Sequence, residues 1–329
     1  MKHWTEPNGI FIINIPIEWQ YKNAVFRDAE EVSPYSFEPY ENSTGCFQIS
    51  CYSLAEKGIN PNFQIQKSNS QIEWFETDMN DEEFDILLFY AQVDDSFCMA
   101  KYIYSKQHRN DKEITEQKKN VKAALDSFRI IPINERLLAS NLNKYDNFLA
   151  SLATSYDLSE NAYKSNSYIE LVAILSNQID AFLRLSIVLH TQLENKTNDI
   201  EIQYIFQGEN QKGIIERKIY STAFELQIID NSTFKELNEL YDLRNKVIHR
   251  YIISFIKTRD IADTAYHYTI LNEKIRLILK SFEDRQANEK VGIYGNNLKE
   301  ESLFDDLDYK RAYSWANDKH LIDRLERKI

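Results

Sequence analysis

Along the second half of the chain, apolar residues recur every three or four positions, the period of a helix with one buried face. From Asn134 to Tyr156, the positions Leu138, Leu142, Tyr145, Leu149, Leu152 and Tyr156 predict a first amphipathic helix. A second is expected from Tyr163 to Leu193, with Tyr168, Leu171, Leu175, Ile179, Phe182, Ser186, Leu189 and Leu193 on one line, and a shorter one from Ile214 to Leu226. The next follows Asp230-Asn231-Ser232-Thr233, where Thr233 and Glu236 have the spacing of a capping box that supplies acceptors to first-turn amides. Its expected buried stripe is Phe234, Leu237, Leu240, Tyr241, Ile248, Tyr251, Ile252 and Phe255, and Arg244 lies on the same line. A last helix, Ile261 to Arg285, completes a bundle of about five.

The first 130 residues follow a different pattern. Short runs rich in β-branched and aromatic residues, Ile10–Ile15, Cys46–Tyr52, Phe63–Gln66, Ile72–Thr77, Ile86–Val93 and Phe97–Tyr104, predict strands separated by turn-forming stretches. A helix from Ile114 to Phe128 closes the segment. The expected fold class is therefore α+β in two domains: an antiparallel sheet with one or two helices over residues 1–132, and an all-α bundle over 133–290. A C-terminal extension, 291–329, carries Tyr313, Trp315, Leu321, Ile322 and Leu325 and is expected to pack on the bundle or on a second protomer.

A length of 329 residues with 43% hydrophobic content suits two cores better than one. The net charge of −12 argues against a broad nucleic-acid-binding surface, but it is unevenly spread. Residues 1–150 hold 15 Lys and Arg against 23 Asp and Glu (−8), whereas 160–290 hold 17 against 19 (−2). Lys246, Arg250, Lys257 and Arg259 make the neighbourhood of Arg244 locally basic, which is compatible with a nucleic-acid contact confined to one cleft.

Cys46, Cys51 and Cys98 lack CxxC spacing and read as small structural side chains in a reducing compartment. The most apolar helix is interrupted by Asn177, Asp180 and Arg184, and the N-terminal segment lacks a cleavage site, so a cytoplasmic protein without a membrane span is expected. The acidic cluster Asp78, Asp81, Glu82, Glu83 and Asp85 lacks the glycine of a calcium loop and reads as a solvated turn. His3 and His108 read as surface residues, no metal or cofactor is implied, and seven glycines form neither a P-loop nor G-x-G-x-x-G.

Residues 244–251, Arg-Asn-Lys-Val-Ile-His-Arg-Tyr, couple a residue spacing to a chemistry. Arg244 and His249 are about 140° and roughly 7.5 Å apart on a helix, so one helix alone does not close them around a substrate. A second copy of the helix, contributing its own pair to a shared cleft, would. Arg244, Asn245 and His249 resemble the signature of HEPN domains: an arginine, a polar residue, a few intervening residues and a histidine. Tyr251 matches the tyrosine carried by the branch of that family paired with nucleotidyltransferase antitoxins, where it is offered for adenylylation. With a first strand running into Pro16 and Trp19, and later strands ending in a helix and Phe128-Arg129-Ile130-Ile131-Pro132, the N-terminal half is similar in layout to Mog1/PsbP-like domains, which implies a binding or sensing module.

The resemblance implies a metal-independent endoribonuclease, of the kind found in toxin–antitoxin pairs and phage defence, acting as a homodimer. Histidine titrates near neutrality and can move the proton of an RNA 2′-hydroxyl, while arginine offers a fixed charge and a planar donor fork to phosphate. Arg244, Asn245 and His249 are then the catalytic candidates, Lys246 and Arg250 the RNA contacts, and Tyr251 the modification candidate. The products would carry 2′,3′-cyclic phosphate ends. Partners would be RNA, a second copy, and an antitoxin or regulatory protein. A catalytically silent HEPN-like module that binds RNA or protein stays open beside this. So does an ordinary structural role, with Arg244 bridged to a helix-borne carboxylate such as Asp180 or Glu170 and Tyr251 in the buried stripe.

Overall fold

A computed structural model describes residues 1–22, 33–40, 45–54, 65–68, 71–208 and 211–295. The chain is α+β, with antiparallel sheets in its N-terminal part and helices in its C-terminal part. It divides into two compact units, residues 1–143 and, among the described residues, 144–295.

In the first unit, β1 (Lys2–Thr5), β2 (Phe11–Ile15) and β10 (Arg129–Ile130) form a three-stranded sheet in the order β1-β2-β10. A second sheet has the order β3 (Trp19–Tyr21), β4 (Tyr35–Pro39), β5 (Gly45–Ser53), β9 (Ser96–Ser105), β8 (Phe84–Val93) and β6 (Ile65–Gln66), with β7 (Phe75–Asn80) also on β8. The alternation is that of half-buried strands: Phe11, Ile13 and Ile15 are buried in β2, and every second residue of β9 from Ser96 to Tyr104 is buried. The helix α1 (Lys112–Ser127) covers one face with Ile114, Val121, Ala124 and Leu125, and its Gln117 Oε1 accepts from Trp19 Nε1 at 2.7 Å.

The pattern-based strands overlap β2 and β5 to β9, whereas β1, β3, β4 and β10 are not marked by the pattern. One pairing departs from the antiparallel expectation, since β6 runs parallel to β8. The chain reverses between β6 and β7, held by Gln66 bonding both the backbone N–H and the carbonyl of Glu73 at 2.7 Å, and β7 takes the antiparallel place along the same edge of β8.

The acidic cluster lies at the β7–β8 turn, where Asp81 Oδ1 accepts from the backbone N–H groups of Glu83 and Phe84. Asp85 is not solvated as expected: it is buried and grips Arg109 through two 2.6 Å bonds. His108 also has a carboxylate neighbour that spacing did not suggest, with Nδ1 2.8 Å from Asp111 Oδ2.

The helices that follow are α2 (Arg136–Lys164), α3 (Tyr168–Asn195), α4 (Glu216–Glu225), α5 (Asn231–Arg250), α6 (Thr258–Glu289) and the short α7 (Gly292–Gly295). The first runs about two turns past its expected end and stops where Asn166 takes a left-handed backbone, a conformation asparagine adopts at helix ends. Leu138 and Leu142, expected on its buried stripe, are exposed, while Tyr145 is buried.

Helix α3 is apolar on nearly all sides and is the central element of the helical core, packed against α4, α5 and α6. By length and composition alone it could cross a membrane, contrary to the reading that its polar residues break it, but about two thirds of that stretch is buried within the protein. Residues 291–295 pack on the helices, with Gly292 N–H donating to Asn198 Oδ1 at 3.0 Å and Ile293 buried. The aromatic and aliphatic residues of the extension noted in the sequence, 313–325, lie outside the described residues.

Candidate functional site

Helix α5 positions the motif. It is capped not by Thr233 and Glu236 but by Asp230, whose Oδ1 accepts from both the backbone N–H and the hydroxyl of Thr233, at 2.7 and 2.6 Å. Thr233 spends its own hydroxyl on that bond and is itself buried inside the first turn. Leu237, Leu240 and Val247 anchor the helix in the core.

Arg244 lies on this buried side and is held there. Its Nη1 bonds Glu216 Oε2 at 2.5 Å and Ser176 Oγ at 3.5 Å, and its Nη2 donates to Asn245 Oδ1 at 3.2 Å. The side chains of Arg244 and Glu216 are only 14% and 15% exposed. The guanidinium also sits 4.6 Å from the centre of the Tyr241 ring, which the Arg217 guanidinium approaches at 4.5 Å, so two cations share one aromatic ring. Arg217 is itself paired with Asp242.

Burial disfavours the charge on Arg244, but the Glu216 carboxylate more than offsets this and raises its pKa above the ordinary value. Glu216 accepts a second bond from the hydroxyl of buried Tyr220. Next to this pair, Asp180 bonds Arg184 through one oxygen at 2.6 Å, while its other oxygen is buried without a hydrogen-bond partner. Burial raises the Asp180 pKa, with Arg184 opposing the shift and Glu216 adding to it. The partner of Arg244 is thus neither Asp180 nor Glu170 but Glu216, 28 residues earlier in sequence on α4. No helical spacing on α5 could have pointed to it.

Of the other motif residues, Asn245 alone joins this cluster by a described hydrogen bond. Asn245 bonds Arg244 directly, whereas Lys246, His249 and Arg250 are exposed and their side chains make no hydrogen bond or ion pair among the described residues. Tyr251 follows the last helical residue and is 37% exposed, so it is not part of a buried stripe. With Ile248 it lines a groove of about 480 Å³ whose other walls include Tyr168, Ile169, Glu170 and Ile261.

The rest of the expected stripe is also corrected. Ile252 is 93% exposed and Phe255 fully exposed, because α5 ends at Arg250 and no described element covers the segment after it. Ile248, Tyr251, Ile252, Ile253 and Phe255 are therefore all exposed within the eight residues that also carry exposed His249 and Arg250.

No family model matches the chain, and no curated protein matches it. Among solved structures, a protein from Bacteroides thetaiotaomicron is similar over 54% of this chain and 78% of its own, with 14% identity and a TM-score of 0.29. A likeness that distant carries no argument about fold or activity.

The chemistry available at the motif comes from its own geometry. Of the five guanidinium N–H groups of Arg244, three have partners in Glu216, Ser176 and Asn245, leaving two for a phosphate oxygen. The Asn245 carbonyl is engaged, so its amide N–H₂ is the part left to donate. His249 is accessible to a substrate but has no described neighbour to orient its ring. Among the described residues, no three His, Cys, Asp or Glu side chains converge as metal ligands would.

Proposed function

We propose that the helical unit is a metal-independent endoribonuclease of the HEPN type whose active site is completed by a second copy of the chain. The observation that carries this reading is the division of the motif. Arg244 and Asn245 are held as a hydrogen-bonded pair, while His249 stands in solvent within a run that exposes Ile248, Tyr251, Ile252, Ile253 and Phe255. Soluble proteins seldom leave so many apolar side chains bare together, and a two-fold axis through this segment would bring two histidines to one groove.

In that groove, one His249 takes the proton of an RNA 2′-hydroxyl as its oxygen attacks phosphorus. The histidine of the partner copy protonates the leaving 5′-oxygen, giving a 2′,3′-cyclic phosphate and a 5′-hydroxyl. Arg244 and the Asn245 amide hold the phosphate oxygens, and Lys246 and Arg250 bind the flanking backbone. The sheet unit would serve as a sensing or regulatory module, as in a toxin or phage-defence effector.

A second reading, that of a non-catalytic interaction module, is favoured by the Arg244–Glu216 ion pair, which gives the arginine a purely structural use. Purified protein incubated with single-stranded RNA in EDTA separates the two. Cleavage with cyclic-phosphate ends, abolished by His249→Ala with the far-ultraviolet circular dichroism spectrum unchanged, is expected. Intact RNA would leave the interaction module as the correct reading, and full activity in His249→Ala would overturn the mechanism assigned to the motif.

A further inference from the structure

The sheet unit contains a second reactive arrangement, unconnected to the motif and independent of the ribonuclease reading. Cys51 on β5 and Cys98 on β9 are direct partners in the antiparallel register, and their sulfurs lie 3.2 Å apart. Directly opposed residues in antiparallel strands have Cα atoms about 4.5 to 5.5 Å apart, inside the range of about 4.4 to 6.8 Å that a disulfide spans. Closing the bond needs the sulfurs to approach by roughly 1.2 Å, within reach of side-chain rotation on a fixed backbone.

Both residues lie on the face that carries Phe47, Ile49, Ala100 and Tyr102, all buried. Cys46, an odd number of residues from Cys51 on the same strand, points to the opposite face and cannot compete for either sulfur. The two thiols differ in access: Cys98 is fully buried and Cys51 only half-buried.

We propose that Cys51 and Cys98 form a reversible thiol–disulfide couple, a modification site whose oxidant is a hydroperoxide. The half-buried Cys51 thiolate attacks the peroxide, cleaving the O–O bond, becoming a sulfenic acid and releasing hydroxide or alkoxide. The Cys98 sulfur then attacks the Cys51 sulfur, displacing its oxygen as water and giving the disulfide. Overall, two thiols lose two electrons and two protons, and the peroxide is reduced to water or to an alcohol and water. Cys98 acts second because it is fully buried where Cys51 is not, and the hydrogen bond with Cys51 together with burial keeps its thiol protonated. The bond joins the two central strands of the larger sheet and closes the loop that contains β6, β7 and β8.

The test uses the full chain treated with hydrogen peroxide, denatured in iodoacetamide, and analysed by intact mass and peptide mapping. The expected product has lost about 2 Da before alkylation, alkylates at Cys46 alone, yields one peptide pair linking Cys51 to Cys98, and regains all three thiols with dithiothreitol. Cys98→Ser should accumulate a sulfenic acid at Cys51 that dimedone traps, and Cys46→Ser should leave the linkage unchanged. Three alkylatable thiols after oxidation, a linkage that includes Cys46, or over-oxidation of Cys51 in the wild-type chain without cross-linking would overturn the proposal. These readouts on the wild-type chain do not depend on whether either variant folds.

Discussion

Replacing Glu216 by glutamine tests how firmly the motif arginine is committed to the fold. Glu216→Gln keeps the shape of the side chain but removes the charge facing Arg244; with the amide oxygen turned to Arg244, its N–H₂ donates to the Tyr220 hydroxyl, reversing that bond. Breaking a fully buried ion pair costs about 3 to 5 kcal/mol, because the remaining ion is stranded away from water. Here the two side chains keep 14% and 15% exposure, and glutamine can still accept one bond from the guanidinium, so a loss of about 2 to 3 kcal/mol is expected. Glu216→Ala, which also strands the Tyr220 hydroxyl, should reach the upper end of that range.

The chain supplies its own control for the measurement. Trp4, Trp19 and Trp74 lie in the sheet unit and residues 144–295 contain no tryptophan; Trp315 lies outside the described residues, so the measurement is made in a Trp315→Phe background. In urea, the helical transition followed by circular dichroism should move down by about 1 to 2 M, while the fluorescence transition of the sheet unit stays in place. Arg244→Met should add little in the Glu216→Gln background, giving a coupling energy of about 2 kcal/mol. A shift under about 0.5 kcal/mol, or strict additivity, would refute the reasoning. It would mean that solvent screens the pair and leaves Arg244 free for other work.

Phe255→Asp should abolish self-association seen by light scattering at micromolar concentration without shifting the helical melting transition, since the ring is fully exposed in the single chain; a lowered transition would show that it packs internally. Asp230→Ala should cost about 1 kcal/mol in the helical transition by uncapping α5, and an unchanged midpoint would deny Asp230 its capping role. Burial pushes the carboxyl of Asp146 up to about 6, above its unfolded value of about 3.9. Between those values the folded chain holds a proton that the unfolded chain releases, so this group's contribution falls as pH rises from about 4 to about 6, and its cost is complete above that. Asp146→Asn should therefore stabilise the protein by about 1 to 2 kcal/mol at pH 7 and have no effect at pH 3, measured as urea midpoints; equal effects at both values would exclude the carboxyl as the cause.

Periodicity alone determined the division into a strand-rich and a helix-rich part, because burial on one face imposes a repeat of about two residues on strands and 3.6 on helices. It located the long helices and most of the strands of the larger sheet, and the motif residues were legible as a spacing. It went wrong where a repeat continues past the element that should bury it. Tyr251, Ile252 and Phe255 keep the helical period of α5, yet the helix has ended at Arg250 and no described element lies over them. Period reports what a helix could bury, and only packing decides what it does bury.

The parallel β6, the pairing of Arg244 with Glu216 rather than Asp180, and the meeting of Cys51 with Cys98 have one cause in common. Each joins residues far apart in the chain, 28 apart for the ion pair and 47 for the cysteines, so no local spacing encodes it. The sequence determined which side chains could ionise, oxidise or donate. Strand register and helix packing decided which of them meet, because contacts across such separations exist only once the intervening chain has folded.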